Sequence, residues 1–179
     1  WDNKQIGKLM VRGPGVITSY YKKIDENKGF LDGWLDTGDL ASISPDGFIS
    51  LHDRAKDVIK SGGEWISSID LANHIRSLKS IRQAVVVGVP HPKWDERPIV
   101  IVELETGHSA PTLNDIREHC SKRFAKFQLP DDLVIWETIP ISGTGKIDKK
   151  VVRSKLKNLQ YVHPSLRIGK TKEAPQSKL

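Results

Sequence analysis

An α+β fold in two bodies is predicted by three observations. The first fifty residues alternate apolar and polar positions between turn residues, without helical spacing. From Glu64 to Leu159, β-branched runs alternate with stretches whose apolar residues recur every three or four positions. Between the two lies Asp53–Trp65, DRAKDVIKSGGEW, which crowds charges together and then breaks at Gly62 and Gly63. That stretch is read as a charged pivot, with residues 1–53 in one body, 54–160 in a second, and 161–179 as a mobile tail without periodicity.

Taken in order, Ile6–Arg12 alternates and runs into Gly13-Pro14-Gly15, a strand entering a tight turn. Val16–Tyr21 reads as a second strand, and Lys22–Gly33 as polar and turn-rich. Asp39–Ser44 and Phe48–His52 flank Pro45-Asp46-Gly47, a hairpin signal. After the pivot, Glu64–Ser67 is a short extended piece, and Ser67 with Asp70 resembles a capping pair. The helix it opens buries Leu71, Ile75 and Leu78. Ala84–Val89, stopped by Pro90, and Ile99–Leu104 are apolar strands. Thr112 caps a helix carrying Leu113, Ile116 and Phe124, and Leu133–Trp136 is a further strand. Lys149–Leu159 closes the body as a basic helix with Val152, Leu156 and Leu159 on one face.

With 179 residues, 37% hydrophobic, the chain is long enough for one good core or two small ones. Its net charge of +6 suits an anionic partner, and nucleotides, coenzyme A, nucleic acid and acidic lipid all qualify. The single cysteine, Cys120, excludes an internal disulfide framework and a multi-cysteine zinc cluster, and its place in a predicted helix suggests packing rather than reactivity. No apolar run approaches the roughly 18 residues a membrane-spanning helix needs. The basic run Lys146–Lys157 lacks interleaved stacking aromatics, so no nucleic-acid partner is expected.

Three constellations can carry chemistry. In Thr37-Gly38-Asp39 a carboxylate beside a glycine can accept hydrogen bonds from the vicinal hydroxyls of a ribose; equally, an aspartate there can simply pin a turn. In the pivot, Arg54 offers a planar fork for ribose or phosphate oxygens, and Lys56 and Lys60 lie four apart. Val58-Ile59 and the paired Gly62-Gly63 argue for close backbone approach by something other than solvent, against the alternative of a flexible, solvated loop. In Pro140–Arg153, PISGTGKIDKKVVR, a mobile glycine-rich loop presents Lys146, an ammonium able to neutralise charge developing in nucleotidyl transfer; a plain hairpin with an exposed lysine is the other reading. It is not a Walker A loop, because Ile147 follows the lysine. His91, Trp94 and Asp95 read as a structured loop rather than a metal site.

Together, GKLMVRGPGV, WLDTGDL, DGFISLHDRAKDVIKSGGEWIS and PISGTGKIDKKVVR, in that order, resemble the AMP-forming acyl-CoA synthetases of the adenylating superfamily over nearly the whole chain to about Leu159. SGGEWISS looks most like the fatty-acyl or medium-chain branch. The resemblance implies a small C-terminal lid domain, a short antiparallel sheet with packed helices, preceded by strands from the end of a large AMP-binding domain. It implies ATP and coenzyme A as ligands, a carboxylic acid as substrate, and magnesium held by residues outside this chain. By motif, Asp39 and Arg54 would hold the ribose and Lys56 would be the hinge. Lys146 would serve adenylation, Lys60 would face the adenylate in the thioester-forming state, and Gly62 and Gly63 would line the pantetheine path. Luciferase-like or aryl-CoA ligases, and a non-catalytic coenzyme A or nucleotide-binding remnant, are the alternatives.

The chain departs from that family at three places. Asp70-Leu71-Ala72 lacks a second acid, Trp94-Asp95-Glu96 stands where Trp-Gly-Glu is common, and Ser142 stands where a basic residue is frequent. The start at Trp1 suggests the C-terminal piece of a longer protein, inactive alone without the large domain's sites. Ser177-Lys178-Leu179 reads as a peroxisomal address, with an import receptor as partner.

Overall fold

The computed structural model describes residues 1–21, 29–159 and 161–164. Four strands form the first sheet: β1 (Gly7–Val11), β2 (Phe30–Leu31), β3 (Trp34–Ile43) and β4 (Ile49–Arg54). β3 is the centre, with β1, β2 and β4 all antiparallel to it. The β3–β4 turn is the one the Pro-Asp-Gly signal predicts, with Gly47 N donating to Ser44 O at 2.9 Å. Val16–Tyr21 is not a strand. Ile17 and Tyr21 are exposed and no described strand offers that segment a ladder, so β-propensity without a pairing edge does not make a strand. Part of the turn-rich stretch expected at 22–33 lies outside the described residues.

The second sheet holds β5 (Ile59–Ser61), β6 (Glu64–Ile66), β7 (Ile81–His91), β8 (Asp95–Leu104) and β9 (Asp132–Ile135), in the order β6-β5-β8-β7, with β9 also on β8. All its pairs are antiparallel except β8–β9, so the expected antiparallel sheet is in fact mixed. Helix α2 (Leu113–Ser121) lies on the connection from β8 to β9, the kind of crossover that lets a chain return parallel. β7 continues through Pro90, which the sequence reading took as its end. Since β7 pairs only with β8 among the described residues, a missing N–H on its other edge costs no ladder bond there.

Alternation on β7 divides the core. Ala84 and Val86 face α1 (Ser68–Arg76) and α2 with Leu71, Ile75, Ile116 and Cys120, whereas Val85, Val87 and Val89 face α3 (Lys149–Asn158) with Val152, Leu156 and Trp136. A strand covered on both faces reads as a continuous apolar run, which is what Ala84–Val89 is. Both expected caps are present: Ser67 accepts from Asp70 N, and Thr112 with Asp115 forms a reciprocal capping box. Cys120 is buried, and burial pushes its thiol up to about 11, which keeps it protonated and unreactive. Leu159, assigned to the buried face of the last helix, is 62% exposed at the helix end. Residues 161–164, the start of the tail expected to be mobile, are docked, since Tyr161 Oη donates to Asp132 at 2.7 Å and His163 is 5% exposed; the rest of that tail lies outside the described residues. The tripeptide Ser177-Lys178-Leu179 lies outside the described residues.

Candidate active-site cleft

Between the two sheets and α3 opens a cleft of about 1310 Å³, and Asp39, Arg54, Lys56, Lys146 and Lys149 line it. Asp39 and Arg54 meet because the β3–β4 ladder sets them opposite one another, and their side chains pair at 3.4 Å. Asp39 stands inside β3, so it does not pin a turn. Just before it the backbone is held in a special form. Gly38 has φ +74°, its N–H donates to Asp36 at 2.8 Å, and its carbonyl receives Ala55 N at 2.9 Å. The Gly38 amide, and then Lys8, hold the Asp36 carboxyl below its ordinary value. Thr37 Oγ1 donates to Leu9 O at 2.9 Å, tying this corner to β1.

Lys56 follows in a tight turn where the Arg54 carbonyl accepts from both Asp57 N and Val58 N. Lys146 sits on a hydrogen-bonded hairpin: Ser142 N donates to Lys146 O at 2.7 Å, Gly145 N to Ser142 O at 2.9 Å, and Ile141 bridges Ile147. The glycine-rich stretch is thus a formed turn with an exposed lysine, the plainer of the two sequence readings for its shape. Its stem is fixed by Ile139 N donating to buried Glu103 at 3.2 Å, while Glu103 also pairs with Arg82.

Lys60, Gly62 and Gly63 do not line this cleft. The pivot is a β-hairpin, β5 to β6, turned by Gly62 (φ +61°) and Gly63 (φ +88°), the two successive left-handed residues such a turn requires. Close backbone approach, inferred from the paired glycines, is correct at Gly62, but the partner is internal. Gly62 N donates to Trp94 O at 2.9 Å, and a Cβ there would stand 2.9 Å from Trp94 Cε3. Gly63 is open, with nothing within 4 Å of a Cβ. Lys60 N donates to Glu96 at 3.1 Å, and the lysine side chain faces outward. Asp95 adopts φ +66°, which accounts for the glycine common at this place.

Arg97 escaped the sequence reading and holds the β5–β6 side together. Its buried guanidinium makes a two-pronged bond to Asp131 (2.8 Å each), reaches Ser61 Oγ at 2.9 Å, and caps the carbonyls of Phe127 and Leu129. Burial raises the Asp131 carboxyl, but Arg97, His163 and Arg117 outweigh it and hold the group below its ordinary value. Burial lowers His163 more than Asp131, 3.3 Å away, raises it. Asp53, Asp57, Lys149 and Arg153 were seen only as charges. The matched four-residue spacing of the two acids and the two bases is the signal that could have joined them: Lys149 pairs with Asp53 at 3.8 Å and Arg153 with Asp57 at 2.8 Å. Among the described residues no cluster of His, Cys, Asp or Glu could hold a metal ion, and no helix is long and apolar enough to cross a membrane.

A five-stranded mixed sheet with helices on both faces is the architecture of the C-terminal domain of adenylate-forming enzymes. Residues 71–146 match the AMP-binding enzyme C-terminal domain, so the chain carries that domain, and its homologues are acyl-CoA ligases. The 3-methylmercaptopropionyl-CoA ligase of Ruegeria lacuscaerulensis is 43% identical over 157 residues, 88% of this chain and 29% of its own. A long-chain-fatty-acid–CoA ligase of Thermus thermophilus is 42% identical over 160 residues, with the same two shares. Petunia hybrida contributes a peroxisomal trans-cinnamate:CoA ligase, 38% identical over 158 residues, 88% of this chain and 28% of its own. Among solved structures, o-succinylbenzoate CoA synthetase of Bacillus subtilis, bound to its acyl-adenylate intermediate, superposes with a TM-score of 0.77 at 30% identity, covering 88% of this chain and 31% of that one. The chain therefore spans about 29% of the length of the curated relatives it matches.

Proposed function

We propose that the chain is the C-terminal part of an ATP-dependent, AMP-forming acyl-CoA ligase of the fatty-acyl or medium-chain type. In the first half-reaction a carboxylate oxygen attacks the α-phosphorus of ATP and pyrophosphate leaves. In the second, the coenzyme A thiol loses its proton and attacks the acyl carbonyl, and AMP leaves. Asp39 accepts the ribose hydroxyls and Arg54 steadies ribose or phosphate oxygens. Lys146 neutralises charge at the α-phosphate, an effect felt most strongly where water is excluded. Lys56 is the hinge about which the lid turns, after which Lys60 faces the adenylate and Gly62 and Gly63 border the pantetheine.

One observation carries this reading: Asp39, Arg54 and Lys146 share a cleft from which Lys60, Gly62 and Gly63 are excluded. A molecule that separates two lysines this way can offer one to each half-reaction. Relatives of comparable similarity act, by their names, on methylmercaptopropionate, long-chain fatty acids and trans-cinnamate. Acyl choice accordingly belongs to a large domain, along with the magnesium ligands, and the part alone is inactive. Ser177-Lys178-Leu179 directs the enzyme to peroxisomes.

The test compares the full-length protein with Lys146→Ala and Lys60→Ala in separate half-reactions. Lys146→Ala is expected to lose pyrophosphate release by about 100- to 1,000-fold and Lys60→Ala to lose mainly thioester formation from supplied acyl-adenylate. Equal behaviour of the two variants in both assays removes the assignment.

A further inference from the structure

Beside the cleft, a buried ionic bridge crosses from the first sheet to the second body. Asp53 is the penultimate residue of β4, and its side chain is 1% exposed. Its Oδ2 accepts from Ser68 N at 2.8 Å, Ser68 Oγ at 2.5 Å and Ile69 N at 3.3 Å, the opening amides of α1, while Oδ1 accepts from Arg54 N at 2.8 Å. Lys149, the first residue of α3, donates from Nζ to Ser68 Oγ at 2.6 Å and lies 3.8 Å from Asp53 Oδ1. The serine hydroxyl thus donates a hydrogen bond to the carboxylate and accepts one from the ammonium.

Each end of this bridge is tied to a residue of the cleft. Asp53 precedes Arg54 and bonds its amide; Lys149 follows Lys146 by three residues, on the helix that the hairpin feeds. Asp148 caps that helix by accepting from Lys150 N and Val151 N, so no slack separates the hairpin from α3. One turn along α3, Arg153 pairs with Asp57, which lies beyond Lys56. A turn about Lys56 keeps the Asp57–Arg153 pair and the Lys149–Ser68 bond within the moving body, whereas Asp53 has to part from Ser68, Ile69 and Lys149. Burial lowers the Lys149 ammonium below its ordinary value while Asp53 and Asp57 oppose that, so this cation is stable in place only while its carboxylates are near. None of these groups fixes the Lys60 hairpin, which rests on Glu96, Trp94 and Arg97.

We infer that Asp53 and Lys149 are positioning residues that hold Lys146 over the Asp39–Arg54 pair, so that the bridge supports the adenylate-forming half-reaction and is released for the other. This rests on the proposed function for the reaction, and on the structure alone for the bridge. In the full-length protein, Lys149→Met is expected to slow pyrophosphate release by about 10- to 100-fold through misplacement of Lys146, with thioester formation from supplied acyl-adenylate unchanged. Lys149→Arg is expected to restore most of the loss. Amide exchange at Ser68 and Ile69, which needs no turnover, is expected to quicken in Lys149→Met. Should that variant fail to fold, Ser68→Ala removes the bridging hydroxyl alone and is expected to show the same split, smaller. Equal losses in both half-reactions, or none in either, overturn the positioning role. If the unaltered protein forms no acyl-adenylate, it is the proposed function that has failed, and the exchange measurement decides the bridge: unchanged exchange overturns it, faster exchange upholds it.

Discussion

The hairpin carrying Lys60 and the hairpin carrying Lys146 share a local design, a short turn with glycine at positive φ, yet they are secured to different parts of the molecule. The Lys60 hairpin is built into the second sheet. Gly62 lies against the Trp94 indole, and Ser61 is bonded by the buried Arg97. The Lys146 hairpin stands out from the core on a stem held by Glu103 and continues into a helix clasped through Lys149 and Arg153 to carboxylates on either side of Lys56. Packing, Glu96 and a buried arginine, all within the second body, therefore fix one lysine, while the helix behind the other is held by ion pairs to Asp53 and Asp57. A group whose contacts all lie within the second body stays with it, whereas the Lys149–Asp53 pair reaches the first sheet and can be released.

That contrast breaks most visibly at Arg97. Arg97→Met takes the two-pronged partner from half-buried Asp131, which keeps Arg117 and His163, and leaves two carbonyls unsatisfied, so a loss of about 3 kcal/mol is expected by chemical unfolding, with faster amide exchange in β5–β6 than at the Lys146 hairpin. Acid tests the same cluster more gently. Asp131 titrates below its ordinary 3.8, so its stabilisation is complete above that value and is lost as pH falls through the lowered folded value. His163, lowered from 6.5, resists protonation in the folded state, so stability begins to decline as pH falls below 6.5. Unfolding midpoints followed from pH 7 to 3 should fall first below 6.5 and again below 3.8, and the decline below 3.8 should shrink in Arg97→Met.

The two turns can be compared one glycine at a time. Gly62→Ala forces a Cβ against the Trp94 ring in a left-handed conformation, and about 2–3 kcal/mol of destabilisation is expected. Gly145→Ala, at φ +78° but with nothing within 4 Å, is expected to cost only about 1 kcal/mol. Similar costs at the two sites would mean that the Trp94 contact relaxes freely. The smallest effect is a gain: Asp95 occupies φ +66°, so Asp95→Gly is expected to stabilise by about 0.5 kcal/mol, read as a small rise in Tm.

Much of this molecule was legible in the chain because much of it is local. The Ser67 and Thr112 caps, the Pro-Asp-Gly turn and the alternation of Ala84–Val89 follow from interactions within a few residues, and all stand in the structure. Asp39, Arg54 and Lys146 were named from motifs, and the structure brings them to one cleft. Where the reading failed, the missing information was a partner distant in sequence. Val16–Tyr21 has strand-like residues and no ladder, Pro90 is tolerated because β7 pairs only with β8 among the described residues, and Tyr161 and His163 are held by Asp132 and Asp131.

By itself, the sequence determined most of the strands and helices, the caps of α1 and α2, and the crowding of charges ahead of Gly62 and Gly63. Only the tertiary structure decided that Gly62 meets Trp94, that Arg97 closes on Asp131, and that Asp53 joins Lys149 through Ser68. The physical reason is range. Propensity, capping and turn chemistry act over about four residues and leave a pattern in the chain. The match of a buried carboxylate to an ammonium nearly a hundred residues away exists only once both have been taken out of water together.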